Sequence, residues 1–254
     1  MNGMKKHETS WNEVANWYDQ LVGEKGSDYH QKVIIPGTLK LLDPRRGEKI
    51  LDLACGQGVL CRELAKAGVE VTGIDASPNL IKAAIERSPK TIKYQVSDAA
   101  NLKAFANASF DIVTCIMAIQ NIEPLDIVIS ESARVLKDGG GLLIVTSHPC
   151  FRIPRQSGWG FDDQRKLQYR RVDSYLSEMK IPIKMHPGYD PGKITWTFHR
   201  PLTTYFTALN KAGLTVARLE EWFSHRQSQP GAKARAENRA RQEIPLFLAL
   251  LAVK

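Results

Sequence analysis

Lys49-Ile50-Leu51-Asp52-Leu53-Ala54-Cys55-Gly56-Gln57-Gly58 is the stretch that decides how this chain folds. Ile50, Leu51 and Leu53 form a short apolar run of the kind that a parallel strand, covered on both faces, needs. Gly56 and Gly58 interrupt the run, and Val59 to Ala67 then reads as a helix. Strand, glycine turn and helix in that order make a nucleotide-type binding turn. Glycine lets the backbone approach a ligand closely, and the first N–H groups of the helix are free to donate.

The turn also indicates which nucleotide it suits. A dinucleotide fingerprint needs a third glycine three residues after the second, and Cys61 occupies that position. No Gly-Lys-Ser/Thr follows, so the turn is not a P-loop. Asp52 stands at the strand end, where a carboxylate repels a pyrophosphate but suits a ligand bearing an ammonium group. S-adenosylmethionine has an α-amino group and a sulfonium, and no phosphate.

Asp52 to Gly58 resembles motif I of the class I S-adenosylmethionine-dependent methyltransferases, with Ala54 at the usual first glycine. The resemblance continues through Val71-Thr72-Gly73-Ile74-Asp75-Ala76-Ser77, Ser97-Asp98-Ala99, Phe110-Asp111-Ile112-Val113-Thr114-Cys115 and Arg134-Val135-Leu136-Lys137-Asp138-Gly139-Gly140, and is strong over residues 47–147. It implies a Rossmann-like α/β fold. The sheet would be seven-stranded and mostly parallel, with an antiparallel last strand and helices on both faces. It also implies one methyltransferase domain over residues 1–254, S-adenosylmethionine as cofactor, S-adenosylhomocysteine as product, and no metal.

The family's cofactor contacts map onto Asp52, Ala54, Cys55, Gly56 and Gly58 around the turn, and onto Met117 after the fourth strand. Asp75 lies about 20 residues past the glycine turn, the offset at which a carboxylate reaches ribose hydroxyls. The competing reading of Asp75 is a helix N-cap, for which Ser77 before Pro78 is better placed. Ala76 is small enough to lie under an adenine ring. Asp98, with Ala99, matches the position that accepts from the adenine amine; a loop Asp is also often only a cap. Tyr18-Asp19 matches the Trp/Tyr-Asp pattern of a helix that lies over the cofactor, although Trp11, Trp17 and Tyr18 at helical spacing also read as packing residues. Ser10 and Glu13 have the spacing of a capping box for that helix.

Composition narrows the class. The chain has 254 residues, 43% of them hydrophobic, which suffices for one sizeable core. No apolar run approaches membrane-spanning length, and Met1 to His7 lacks an apolar signal core. Cys55, Cys61, Cys115 and Cys150 lack metal-site spacing, so reduced thiols and a cytoplasmic location are expected. The net charge of +8 admits an acidic partner or nucleic acid, or simply a solvated basic surface. Arg165, Lys166, Arg170 and Arg171 cluster in one place, and Arg226, Lys233, Arg235, Arg239 and Arg241 in another.

Residues 1–45 read as an N-terminal helical cover, with a helix over 28–42 interrupted at Pro36. Further strands are expected at 69–74, 92–96, 110–117, 142–146, 214–219 and 244–253, with helices at 125–136, from Pro201 to Gly213, and at 232–243. Residues 147–200 break this rhythm and read as a substrate cap after the fifth strand, because an unstructured loop of that length is improbable in a compact domain. Within it, 181–185 and 193–199 alternate and are expected to pair.

Methyl transfer from a sulfonium is an in-line displacement, so the protein needs to align an acceptor and, where required, remove one proton. His148, just past the fifth strand, and His199, in a Phe198-His199-Arg200-Pro201 run, are the candidate bases, and both also suit ordinary structural roles. Arg200 is a candidate for an acceptor carboxylate or phosphate. Trp159 and Tyr205 are candidate pocket walls. Pro149-Cys150 resembles a pyrimidine C5-methylating nucleophile, but the Pro-Cys that accompanies it after the fourth strand is replaced by Ile116-Met117-Ala118. The Asn/Asp-Pro-Pro-aromatic signature of base-amine methylation is absent. The expected activity is therefore O-, N- or C-methylation of a small metabolite or natural-product intermediate, with RNA or protein methylation through the basic surface as the alternative.

Overall fold

A computed structural model describes residues 10–184 and 194–254. Pro187 to Gly192, the N-terminal residues before Ser10, and the side chain expected to cap at Ser10 lie outside the described set. The chain runs through β1 (Lys49–Leu53), β2 (Glu70–Asp75), β3 (Lys93–Val96), β4 (Phe110–Ile116) and β5 (Leu136–Ser147). Two hairpins follow, β6 (Ser157–Asp162) with β7 (Leu167–Val172) and β8 (Met179–Lys184) with β9 (Ile194–His199), and then β10 (Thr215–Trp222) and β11 (Phe247–Val253). Helices are α1 (Ser10–Glu13), α2 (Ala15–Val22), α3 (Ile35–Leu42), α4 (Val59–Lys66), α5 (Pro78–Arg87), α6 (Leu125–Val135), α7 (Leu202–Lys211) and α8 (Ala234–Glu243).

The main sheet has the order β10-β11-β5-β4-β1-β2-β3. β1 pairs in parallel with β2 and β4, and β11 runs antiparallel to both β5 and β10. This is the Rossmann-like arrangement that the resemblance implies. β1 is apolar because it is covered twice: Leu51 and Leu53 pack toward α6 and α7, while Ile50 packs toward α3 and α4. β5 and β11 divide in the same way. Leu142, Ile144, Leu248 and Leu250 face α6 and α7, and Leu143, Val145, Phe247 and Ala249 face α3. Alternate residues of a strand point to opposite faces, so burial on both sides produces an unbroken apolar run.

Two local expectations change. Leu136 to Gly141, which the sequence places at the end of the 125–136 helix and in the glycine-rich stretch before the 142–146 strand, extends β5 instead, with a break in register against β4 between Phe110 and Ile112. The end of the chain stitches this glycine-rich piece down, Gly139 N–H donating to the Lys254 carbonyl and Lys254 N–H to that of Gly140. The interruption at Pro36 takes the form of a π-helical turn over His30–Ile34, in which Ile35 N–H donates to the His30 carbonyl. Pro36 has no N–H, so the regular ladder loses a rung there and the preceding turn widens.

Of the expected pairing of residues 181–185 with 193–199, the part within the described residues, 181–184 with 194–197, is seen in β8 and β9. The β6–β7 hairpin, by contrast, was not expected from the sequence. Gly158 and Gly160 dilute its alternation, and its turn is fixed by a side chain: Asp162 Oδ1 accepts from the N–H groups of Gln164 (3.0 Å) and Arg165 (2.9 Å).

Candidate active site

The turn after β1 carries three left-handed residues, Ala54 (φ 50°), Gly56 (φ 55°) and Gly58 (φ 82°). That backbone explains why glycine is the usual residue at position 54 and why two glycines remain. The turn is clamped to the next strand. Cys55 N–H donates to the Ile74 carbonyl (2.9 Å), Gly56 N–H to Asp75 Oδ2 (2.9 Å), and Ser77 N–H to Asp75 Oδ1 (2.8 Å). Each Asp75 oxygen therefore keeps a second acceptor site. Ser77 is the α5 N-cap, its hydroxyl accepting from Leu80 N–H (3.3 Å), so Asp75 is not needed for capping.

A cavity of about 320 Å³ lies over this turn, beyond the carboxyl ends of β1, β2 and β4. Tyr18, Ala54, Gly56, Asp75, Ala76, Asp98, Ala99 and Met117 line it. Asp98 is held by Ala100 N–H on Oδ1 (2.8 Å). Met117 takes a left-handed φ of 55° as β4 ends, and its N–H donates to the Val145 carbonyl (2.7 Å). Tyr18 lies over the turn edge-on to Trp11, ring centroids 5.6 Å apart, and burial pushes its phenol up to about 12. The Arg87 guanidinium grips both carboxylate oxygens of Asp19, tying α2 to α5 beside the cavity.

Asp52 and Cys55 line a small annex of about 40 Å³ that shares Tyr18, Ala54 and Ile116 with the main cavity. The Thr114 hydroxyl donates to Asp52 Oδ1 (2.7 Å) and the Cys61 thiol to Oδ2 (3.3 Å). Burial nevertheless raises the Asp52 carboxyl to about 6, although the bonds from Thr114 and Cys61 act against it.

β9 divides the space above β5. Trp196 faces the main cavity, while Thr195, Thr197 and His199 face a second cavity of about 230 Å³, with Phe198 at the rim of both. Trp11 and Asn121 also line both. His199 Nε2 lies 2.7 Å from the Tyr175 carbonyl, which only accepts, so Nε2 carries the proton and Nδ1 the lone pair. Tyr205 is buried in the wall of the second cavity.

Four sequence-based candidates are placed otherwise than expected. His148 lines none of these cavities. Its ring turns under β10, Nε2 donating to Glu221 Oε1 (2.6 Å) and Nδ1 accepting from Cys150 N–H (3.2 Å), so neither nitrogen is free to act as a base. Trp159 is 39% exposed and lies between two guanidiniums, Arg152 at 5.1 Å and Arg170 at 5.2 Å. Gly58 lines none of these three cavities either. It is glycine because of its φ and because a Cβ there would meet the Tyr94 hydroxyl at 2.3 Å. Arg200 lines the second cavity, but it donates to the carbonyls of Ile122 (2.8 Å) and Glu123 (2.7 Å).

Sequence reasoning missed Trp11, Lys180 and Phe198 as cavity walls, whereas Trp196 is one of the aromatic residues of 147–200 that read as pocket-forming, and it is a wall. Lys180 lies over the Trp196 ring at 5.1 Å and pairs with Glu123 at 3.1 Å, joining the β8–β9 hairpin to the segment before α6. The alternation in β9 carried a signal for Trp196 and Phe198, since i and i+2 share a face.

The chain has known relatives. A family model described as "Methyltransferase domain" matches residues 51–144. A ubiquinone biosynthesis O-methyltransferase of Thiobacillus denitrificans is 33% identical over 183 residues, covering 68% of this chain and 79% of that protein. A demethylmenaquinone methyltransferase of Corynebacterium kroppenstedtii is 37% identical over 140 residues, covering 52% and 58%. An S-adenosylmethionine-dependent methyltransferase structure from Mesorhizobium loti shares the fold, with a TM-score of 0.69 at 24% identity over 88% of this chain and 99% of that one. With its glycine turn, strand order and cavity in the arrangement that the motifs imply, this chain belongs to the class I S-adenosylmethionine-dependent methyltransferases.

Proposed function

We propose that this enzyme methylates a compact small molecule bound in the second cavity, next to a cofactor held over the β1 turn. The observation that carries the proposal is the pair of adjoining cavities that share Trp11, Asn121 and Phe198. The two relatives are named for ubiquinone biosynthesis and for demethylmenaquinone, and both names point to small acceptors. In this reading the hairpins after β5 are the substrate cap, and α1 to α3 are the cover.

The main cavity fits a nucleoside without phosphate. Asp75 and Asp98 line it, and its one described cationic wall residue, Lys180, is paired with Glu123. A pyrophosphate would meet carboxylates there. Asp75 holds the ribose hydroxyls through its two remaining acceptor sites, and Asp98 accepts from the adenine amine. Ala76, Ala99 and Leu80 offer small apolar walls to the base. Asp52, in the annex, balances the ammonium, with Tyr18 above the turn. The cofactor supplies an activated methyl group on a cationic sulfur. The chain contributes alignment, exclusion of water by the cap, and a proton acceptor at His199 Nδ1.

Three cations of the basic clusters are engaged within the protein and so give the RNA alternative little support. Arg170 donates to the Phe151 carbonyl (2.7 Å) and the Ser157 hydroxyl (2.8 Å), Arg171 pairs with Asp173 (2.8 Å), and Arg226 with Asp28 (3.2 Å).

The test is transfer of a labelled methyl group from S-adenosylmethionine to a panel of small phenols and catechols, with and without a carboxylate or phosphate group, run beside bulk tRNA. Label in a small acceptor and none in tRNA is expected. Label confined to tRNA, or to protein, would overturn the reading.

Binding is also expected to depend on pH through Asp52. An ammonium in the annex favours the ionised carboxylate, so its pKa falls on binding and a proton is released. Affinity for S-adenosylhomocysteine should be full at pH 7.5 and lost as pH falls through about 6. At pH 5 about one Asp52 in ten is ionised, so the Kd should be about tenfold weaker by calorimetry. His30 lines the same annex and is held below its ordinary value by burial. Asp52→Asn separates the two groups. A dependence that survives this substitution belongs to His30 or to Asp75, whose carboxyl burial also raises, and contradicts the Asp52 assignment.

A further inference from the structure

We infer that the second cavity is built for an acceptor carrying an oxyanion, a carboxylate or phosphate group, which pairs with Arg152. This rests on reading that cavity as the acceptor site, and it adds the chemical class of the acceptor.

Arg152 lines the second cavity and not the first. Its Nε is shielded from solvent and has no hydrogen-bond partner, and among the described residues its guanidinium makes no ion pair. Its neighbours do not compensate its charge. The Trp159 ring lies 5.1 Å away, and Arg170 stacks on the same ring at 5.2 Å, bringing a second cation close. Arg170 cannot swing away to relieve this repulsion, because it is fastened to the Phe151 carbonyl and the Ser157 hydroxyl. Burial, followed by the charge of Arg170, lowers the Arg152 guanidinium to about 10, as expected of a cation lacking its counter-ion.

The rest of the wall has the same character. His199, Arg200, Thr146, Thr195 and Thr197 line the cavity, and no described Asp or Glu does. Arg200 gives its donors to backbone carbonyls, which leaves Arg152 as the fork available to a planar carboxylate or to phosphate oxygens. A neutral acceptor would leave the half-buried guanidinium unpaired, so the site discriminates against it. The volume of about 230 Å³ lies below the range of about 300–1,000 Å³ usual for drug-sized ligands, so the occupant is compact.

The test uses the full chain saturated with S-adenosylhomocysteine. The affinity for S-adenosylhomocysteine is measured first by calorimetry, so that failure of the cofactor reading shows separately. Benzoate, phenyl phosphate and neutral benzamide are then titrated into wild type, Arg152→Met and Arg152→Lys. At least one anion should bind wild type tenfold or more tighter than benzamide, and the stronger of the two identifies carboxylate or phosphate. Arg152→Met should remove that preference while S-adenosylhomocysteine affinity is kept, and Arg152→Lys should restore part of it. Equal binding of benzamide, an unchanged preference in Arg152→Met, or no binding of either anion at 10 mM would overturn the inference. Should Arg152→Met lose S-adenosylhomocysteine binding through misfolding, the anion preference of wild type and of Arg152→Lys decides the matter.

Discussion

Asp75→Ala is expected to raise the Kd for S-adenosylhomocysteine by roughly 5- to 150-fold, about 1–3 kcal/mol. Two losses combine. The ribose hydroxyls lose a charged acceptor, and Gly56 N–H, 2.9 Å from Oδ2, loses the bond that ties the glycine turn to β2. Asp75→Asn separates them, because its amide keeps one acceptor oxygen for Gly56 or Ser77 and loses the charge. Calorimetry on the three proteins reads the difference, with the alanine variant weakest. Unchanged affinity in Asp75→Ala would remove the ribose assignment.

The largest effect is expected at His199. Its Nε2–H is committed to the Tyr175 carbonyl, which leaves on Nδ1 the lone pair that the proposed base requires. β9 delivers this ring to the second cavity in phase with Thr195 and Thr197. For an acceptor that must lose a proton, a positioned base contributes about 10²–10⁴ in rate. His199→Ala should lower kcat by that factor toward an acceptor found in the methyl-transfer screen and leave S-adenosylhomocysteine affinity unchanged. A kcat near that of wild type would make His199 a structural residue.

Much of the sheet was legible because burial on both faces writes a continuous apolar run. β1, β2 and β4 are of that kind, and the positions of Asp52 and Asp75 follow from where such runs stop, whereas Asp98 follows β3, a mostly exposed edge strand. The acceptor side was less legible. A strand end tells where the chain emerges but not which way the next side chain turns. β5 ends at Ser147, and His148 then swings under β10 to Glu221 instead of over the sheet. Trp159 was expected as a pocket wall, yet it sits on a hairpin whose glycines hid its strand character, and it stacks between arginines. Arg152 had no sequence signal, because a lone arginine between Phe151 and Ile153 reads as surface until Trp159 and Arg170 are seen to enclose it. Arg200 had the right location and the wrong task, since its donors are taken up by the carbonyls of Ile122 and Glu123.

The account stands on the main cavity being the cofactor site and the second cavity being its neighbour across Phe198. A crystal of this protein grown with S-adenosylhomocysteine tests that most directly. The account predicts ribose density against Asp75, adenine between Ala76 and Ala99 near Asp98, and a sulfur facing the rim at Phe198. Density for the nucleoside in the cavity lined by Arg152 and His199, or a ribose with no contact to Asp75, would contradict it.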